Sequence, residues 1–143
     1  MKKLFTICLM MAIPILANAQ TKEETITWLK EKLKTCMVEQ NSNTRLVSID
    51  ECQFTIQYDQ LYNNNTKDTD EVSFPFDGVT IKDGKLIYDL DVIKRFRYGK
   101  ANSKVYYKQS NELLRLCETD IYTRMQKAMQ HLSTFCPKKK ETF

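Results

Sequence analysis

Apolar residues recur along this chain with two periods, and the change of period marks its elements. Ile26, Leu29, Leu33, Cys36 and Met37 fall on one helical stripe. Thr21 and Glu24 form a capping-box pattern just ahead of it. Trp28 lies off the stripe, near Lys32 and Thr35. Asn41-Ser42-Asn43 predicts a loop. From there the period becomes two. Val47 and Ile49 alternate in one phase, and Cys52, Phe54, Ile56 and Tyr58 in the other. The phase switch at Asp50-Glu51 predicts a bulge or bend in one long strand. Asn63 to Asn65 begins an exposed loop running to Asp70.

Val72, Phe74 and Phe76 predict the next strand, with Pro75 at an edge or outward position. Asp77-Gly78 and Asp83-Gly84 read as hairpin turns around a strand at Val79–Lys82. Leu86, Tyr88, Leu90 and Val92 continue the alternation. A turn over Gly99–Ser103 separates Val92–Tyr98 from a strand at Val105–Lys108, and Glu112–Cys117 is read as a last strand. The period then returns to helical. Ile121, Met125, Ala128, Met129, Leu132, Phe135 and Cys136 form one stripe that starts near Thr119-Asp120 and stops at Pro137. Lys138-Lys139-Lys140 reads as a solvated tail.

The order is helix, six or seven short strands, helix, which is α+β with antiparallel pairing. A closing amphipathic helix after a run of hairpins, together with the bend at Asp50-Glu51, resembles a pleckstrin-homology-like barrel. That resemblance implies a strongly bent sheet plugged at one end by the last helix. The alternative is an open antiparallel sheet with both helices on one face.

Residues 1–19 carry a different pattern. Lys2 and Lys3 precede an uncharged apolar run from Leu4 to Leu16, and Ala17-Asn18-Ala19 supplies small residues at a cleavage site. This is an export signal, and the expected mature start is Gln20. The run is shorter than the roughly 20 apolar residues a membrane span needs. Cys8 follows Ile7 inside the run, so a lipoprotein site is not formed. The start and the Ala-Asn-Ala-Gln junction resemble signal peptides of small secreted proteins from Bacteroidetes-type bacteria. Residues 20–143 are then one globular domain, periplasmic or secreted, with no stable membrane insertion. The net charge of +4 loses Lys2 and Lys3 and becomes about +2, a poor basis for nucleic-acid binding.

Four cysteines remain in the mature chain: Cys36, Cys52, Cys117 and Cys136. An even number in an exported chain permits two disulfides, with three connectivities open. No C-x-x-C spacing or histidine cluster suggests a metal, and no cofactor motif occurs. Between Val92 and Asn111 there is no acidic residue. Lys94, Arg95, Arg97, Lys100, Lys104 and Lys108 interleave there with Phe96, Tyr98, Tyr106 and Tyr107. Such a ribbon can hold anions and stack on sugars, weakly and with strong salt dependence. Arg124, Lys127 and His131 share one flank of the closing helix, and Trp28 is the only tryptophan. Carboxylates gather at Asp68-Thr69-Asp70-Glu71 and Asp89-Leu90-Asp91 without a calcium-loop register.

The sequence therefore points to a small exported, non-enzymatic binding domain. Its candidate ligand residues are Trp28, Arg95, Phe96, Arg97, Tyr98, Tyr106, Arg124 and His131, facing a protein or an anionic glycan. The competing reading is a small hydrolase using aspartates and tyrosines of the sheet.

Overall fold

A computed structural model describes residues 20–37, 44–61, 67–98 and 103–138. The export signal, the Asn41–Asn43 and Asn63–Asn65 loops, Lys100 and the end of the lysine tail lie outside the described residues. The elements are α1 (Lys22–Cys36), β1 (Arg45–Ile49), β2 (Gln53–Leu61), β3 (Lys67–Pro75), β4 (Thr80–Lys82), β5 (Lys85–Ile87), β6 (Ile93–Tyr98), β7 (Ser103–Tyr107) and α2 (Thr119–Ser133). Five strands form an antiparallel sheet in the order β1-β2-β3-β6-β7, and β4 pairs with β5 in a separate hairpin. The fold is α+β, and the sheet is open. β1 and β7 are its two edges, so the barrel implied by the resemblance does not form and the open alternative does.

Both helices share one hydrophobic core with one face of the sheet. The register sets Phe54 opposite Phe74 and Ile56 opposite Val72, and places Ile93 beside them on β6. The Phe54 and Phe74 rings stack at 4.8 Å. Leu29, Leu33 and Cys36 of α1 and Met125, Met129 and Leu132 of α2 close over them, all buried. Helix α1 starts where its capping box puts it. The Thr21 hydroxyl accepts from the Glu24 amide at 3.2 Å, and the Glu24 carboxylate accepts from the Thr21 amide at 2.9 Å.

Several expectations are corrected. The phase switch at Asp50 is a hairpin turn between two paired strands rather than a bend in one. The Asp50 carboxylate accepts from the amides of Cys52 and Gln53, which closes the turn. A register shift between Leu46 and Ser48 leaves Val47 exposed, so Leu46 and Ile49 face the core instead. Asp77-Gly78 is a turn but joins unpaired strands, whereas Asp83-Gly84 does make a hairpin. Leu90 and Val92 lie beyond β5 and are exposed.

Glu112–Cys117 is a run of turns. Leu114 is buried there, donating to the Gly84 carbonyl at 2.9 Å and accepting from the Tyr122 hydroxyl at 3.0 Å. With these groups engaged outside a strand ladder, the segment does not extend the sheet. Helix α2 ends at Ser133, before Phe135, which is exposed and sits edge-on to His131.

Two disulfides brace the ends. Cys36–Cys117 ties the end of α1 to the segment before α2, and Cys52–Cys136 ties the β1–β2 turn to the segment after α2. Their Cα separations of 4.8 and 4.9 Å are ordinary for such bridges. Gly84 has a φ of +71°, and a Cβ built there would lie 3.2 Å from the Tyr122 hydroxyl and 3.4 Å from the Leu114 carbonyl carbon. Gly84→Ala is expected to cost about 1–2 kcal/mol through the left-handed backbone alone. Thermal melts should show a lower Tm than for Asp83→Gly, which relaxes its neighbour at φ +51°.

Candidate functional site

The predicted β6–β7 hairpin is present, with Ile93 opposite Tyr107 and Arg95 opposite Val105. Strand alternation then divides its cations between two faces. Arg95 and Arg97 point to the core side, where Asp70 is fully buried. Arg97 donates to Asp70 through Nε at 2.9 Å and Nη2 at 3.1 Å, and Arg95 Nη2 donates to the same carboxylate. Arg97 also reaches the Gln60 side chain at 3.2 Å. The Arg95 guanidinium lies over the Tyr58 ring at 5.6 Å and donates to the Tyr107 hydroxyl at 3.3 Å.

Burial alone would raise the pKa of Asp70. The hydrogen bonds and charges of Arg97 and Arg95 outweigh it and hold the carboxyl below its ordinary range. Burial pushes Tyr58 up to about 12, with Asp70 adding and Arg95 opposing. Asp70 is thus a fixed anion with both oxygens engaged. A general acid or base needs a proton to exchange near neutral pH, and this carboxylate is unsuited to that work.

The other sheet face carries Phe96, Tyr98 and Tyr106 with Lys94 and Lys104. Phe96 and Tyr98 meet edge-on at 4.6 Å, and the Lys104 ammonium lies 5.4 Å from the Tyr106 ring. Beside them a polar ladder crosses the sheet: Arg45 donates to Gln57, and Gln57 to Glu71.

The sheet carboxylates do not converge on one point. Asp70 and Glu71 face opposite sides, as successive strand residues must. Asp89 and Asp91 are exposed in the bend before β6. Asp59, which the sequence reading did not single out, is buried, accepts from Thr69 at 2.8 Å and pairs with Arg45 at 3.7 Å. Among the described residues, no group of three His, Cys, Asp or Glu could hold a metal, and no helix is long and apolar enough to cross a membrane.

Three predicted ligand residues do come together, between the helices. Trp28 of α1 and Arg124 and His131 of α2 line one open groove of about 430 Å³ with Lys127, Thr25 and Gln20. The Arg124 guanidinium lies 5.4 Å from the Trp28 ring centroid. His131 Nε2 is 3.3 Å from the Gln20 carbonyl. The indole is half-buried against α2, rather than folded over a sheet edge. Among the described residues, no carboxylate lines this groove.

A second concavity of about 280 Å³ opens on the core face of the sheet, beside Arg95. Its floor is Ile56, Val72, Phe74 and Ile93, and the segment from Gln109 to Leu113 forms one wall. Sequence reasoning missed it, because its wall lies outside the named strands and only Glu112 and Leu113 of it fall in the run of turns read as a strand. Compared with protein-family models, curated proteins and solved structures, the chain finds no match in any of the three, so geometry and chemistry alone carry the functional reading.

Proposed function

We propose that this chain is a small exported binding domain without catalytic activity, and that the groove between α1 and α2 takes an anionic glycan. The observation that carries the reading is the lining of that groove: Trp28, Arg124, Lys127 and His131, with no acidic residue among them. An indole face can stack on a sugar ring while the cations meet its sulfates or carboxylates. Two disulfides fit an oxidising compartment outside the cytoplasm, in keeping with the export signal read at residues 1–19. The hydrolase alternative is disfavoured by Asp70, whose carboxylate is committed to two arginines.

The test is retention on a heparin column at low ionic strength. The double variant Arg124→Ala and Lys127→Ala should elute at clearly lower salt than the wild type. Lys94→Ala with Lys104→Ala should leave elution nearly unchanged. The reverse pattern would move the site to the Phe96–Tyr106 face and reject the groove.

A further inference from the structure

We propose that the cavity on the core face of the sheet is a second site, and that it binds a small monocarboxylate with an apolar tail. The tail would lie on Ile56, Val72, Phe74 and Ile93, and the carboxylate would meet Arg95 and the Tyr107 hydroxyl. Three observations support this. The four floor residues are apolar members of the core, so an apolar tail lying on them would extend that core. Its volume of about 280 Å³, at about 30 Å³ for each water-sized group, suits a ligand of roughly ten non-hydrogen atoms.

The polar side is equally specific. Arg95 lines the cavity, and the one carboxylate it meets, Asp70, is shared with Arg97. Its charge is therefore only partly compensated. The Tyr107 hydroxyl accepts from Arg95, and no acceptor among the described residues takes its proton. A hydroxyl can donate as well as accept, so this proton is left to point at a ligand oxygen. A carboxylate satisfies both donors at once, whereas an alcohol offers no charge to Arg95. Glu112 also lines the cavity, but Arg115 holds its carboxylate through Nε at 2.8 Å.

Octanoate is the probe, titrated into the disulfide-intact protein and followed by NMR, with octan-1-ol as the uncharged control. Octanoate should bind in the submillimolar range and shift resonances of Ile56, Val72 and Tyr107. Octanol should bind at least about tenfold more weakly. Tyr107→Phe should weaken octanoate roughly fivefold and leave octanol unchanged. Leu113→Trp, on the wall of the cavity, should block both.

Equal affinity for acid and alcohol would overturn the role of Arg95. No binding by the wild type, or binding that perturbs Trp28 rather than Tyr107, would overturn the site. If Leu113→Trp fails to fold, the comparison of acid and alcohol in wild type and Tyr107→Phe still decides. Loss of glycan binding at the helix groove would leave these outcomes untouched, because among the described residues the two sites share no lining residue.

Discussion

Replacing Cys36 and Cys117 with serine is expected to lower the unfolding free energy by about 4 kcal/mol, on the chain-entropy view of a long closed loop. The two bridges span sequence separations of 81 and 84 residues, and they interlock. While Cys52–Cys136 remains, the path from Cys36 to Cys117 already runs through it and spans only about 35 residues. The loop cost depends on the logarithm of that length, so the first bridge removed still costs about 4 kcal/mol. Reducing both should cost about 8 kcal/mol, comparable with the whole stability of an ordinary domain. Urea melts with and without reductant measure this. A midpoint that does not move on reduction would mean the bridges constrain nothing.

Asp70→Asn is the second large effect, at about 3 kcal/mol. Removing one partner of a buried ion pair leaves the other charges uncompensated. Here Arg95 and Arg97 would keep only partial access to water, at 22% and 30% side-chain exposure. Asp70→Leu with Arg95→Met and Arg97→Met should recover much of the loss, because an apolar replacement of the whole network leaves no orphan charge.

The pH dependence follows from the lowered pKa of Asp70. Its folded-state value lies below its unfolded value, so its stabilisation is fully present above the ordinary carboxylate range. It declines as pH falls below about 4 and is gone once the folded carboxyl is protonated. The Asn variant should be less stable than the wild type at neutral pH, and the gap should narrow in acid. A constant gap down to pH 2 would show that the charge of Asp70 is not what matters.

Much of this fold was legible in the sequence because one face is buried and the other is not. Val72, Phe74 and Phe76, and Phe54 and Ile56, kept strict alternation, and both helical stripes were phased correctly at Leu29, Leu33, Met125, Met129 and Leu132. The errors came where turn chemistry or sheet irregularity broke the period. Asp50 capped a tight turn inside what looked like one strand. Leu113 to Leu116 carried strand-like composition with no neighbouring strand to pair with.

The Asp70 network has a signal in the sequence. Asp70 is in phase with Val72 and Phe74, and Arg95 and Arg97 are in phase with Ile93. A charge in phase with core residues needs a partner of opposite sign. Of the candidate ligand residues, Trp28, Arg124 and His131 met in space, whereas Arg95 and Arg97 turned away from Phe96, Tyr98 and Tyr106. The helix flank could be read from one periodicity. The ribbon could not, because six cations in sequence say nothing of which side each one takes until the register is known.

Trp28 is the only tryptophan in the chain, so its emission reports occupancy of the helix groove without a label. Titration with a sulfated oligosaccharide, at about 20 mM salt and again at about 150 mM, should give a saturable change in that emission. The affinity should fall at the higher salt as exposed cations are screened, and Arg124→Ala should abolish the change. Binding seen by calorimetry at low salt with Trp28 emission unaltered would contradict the groove as the ligand site.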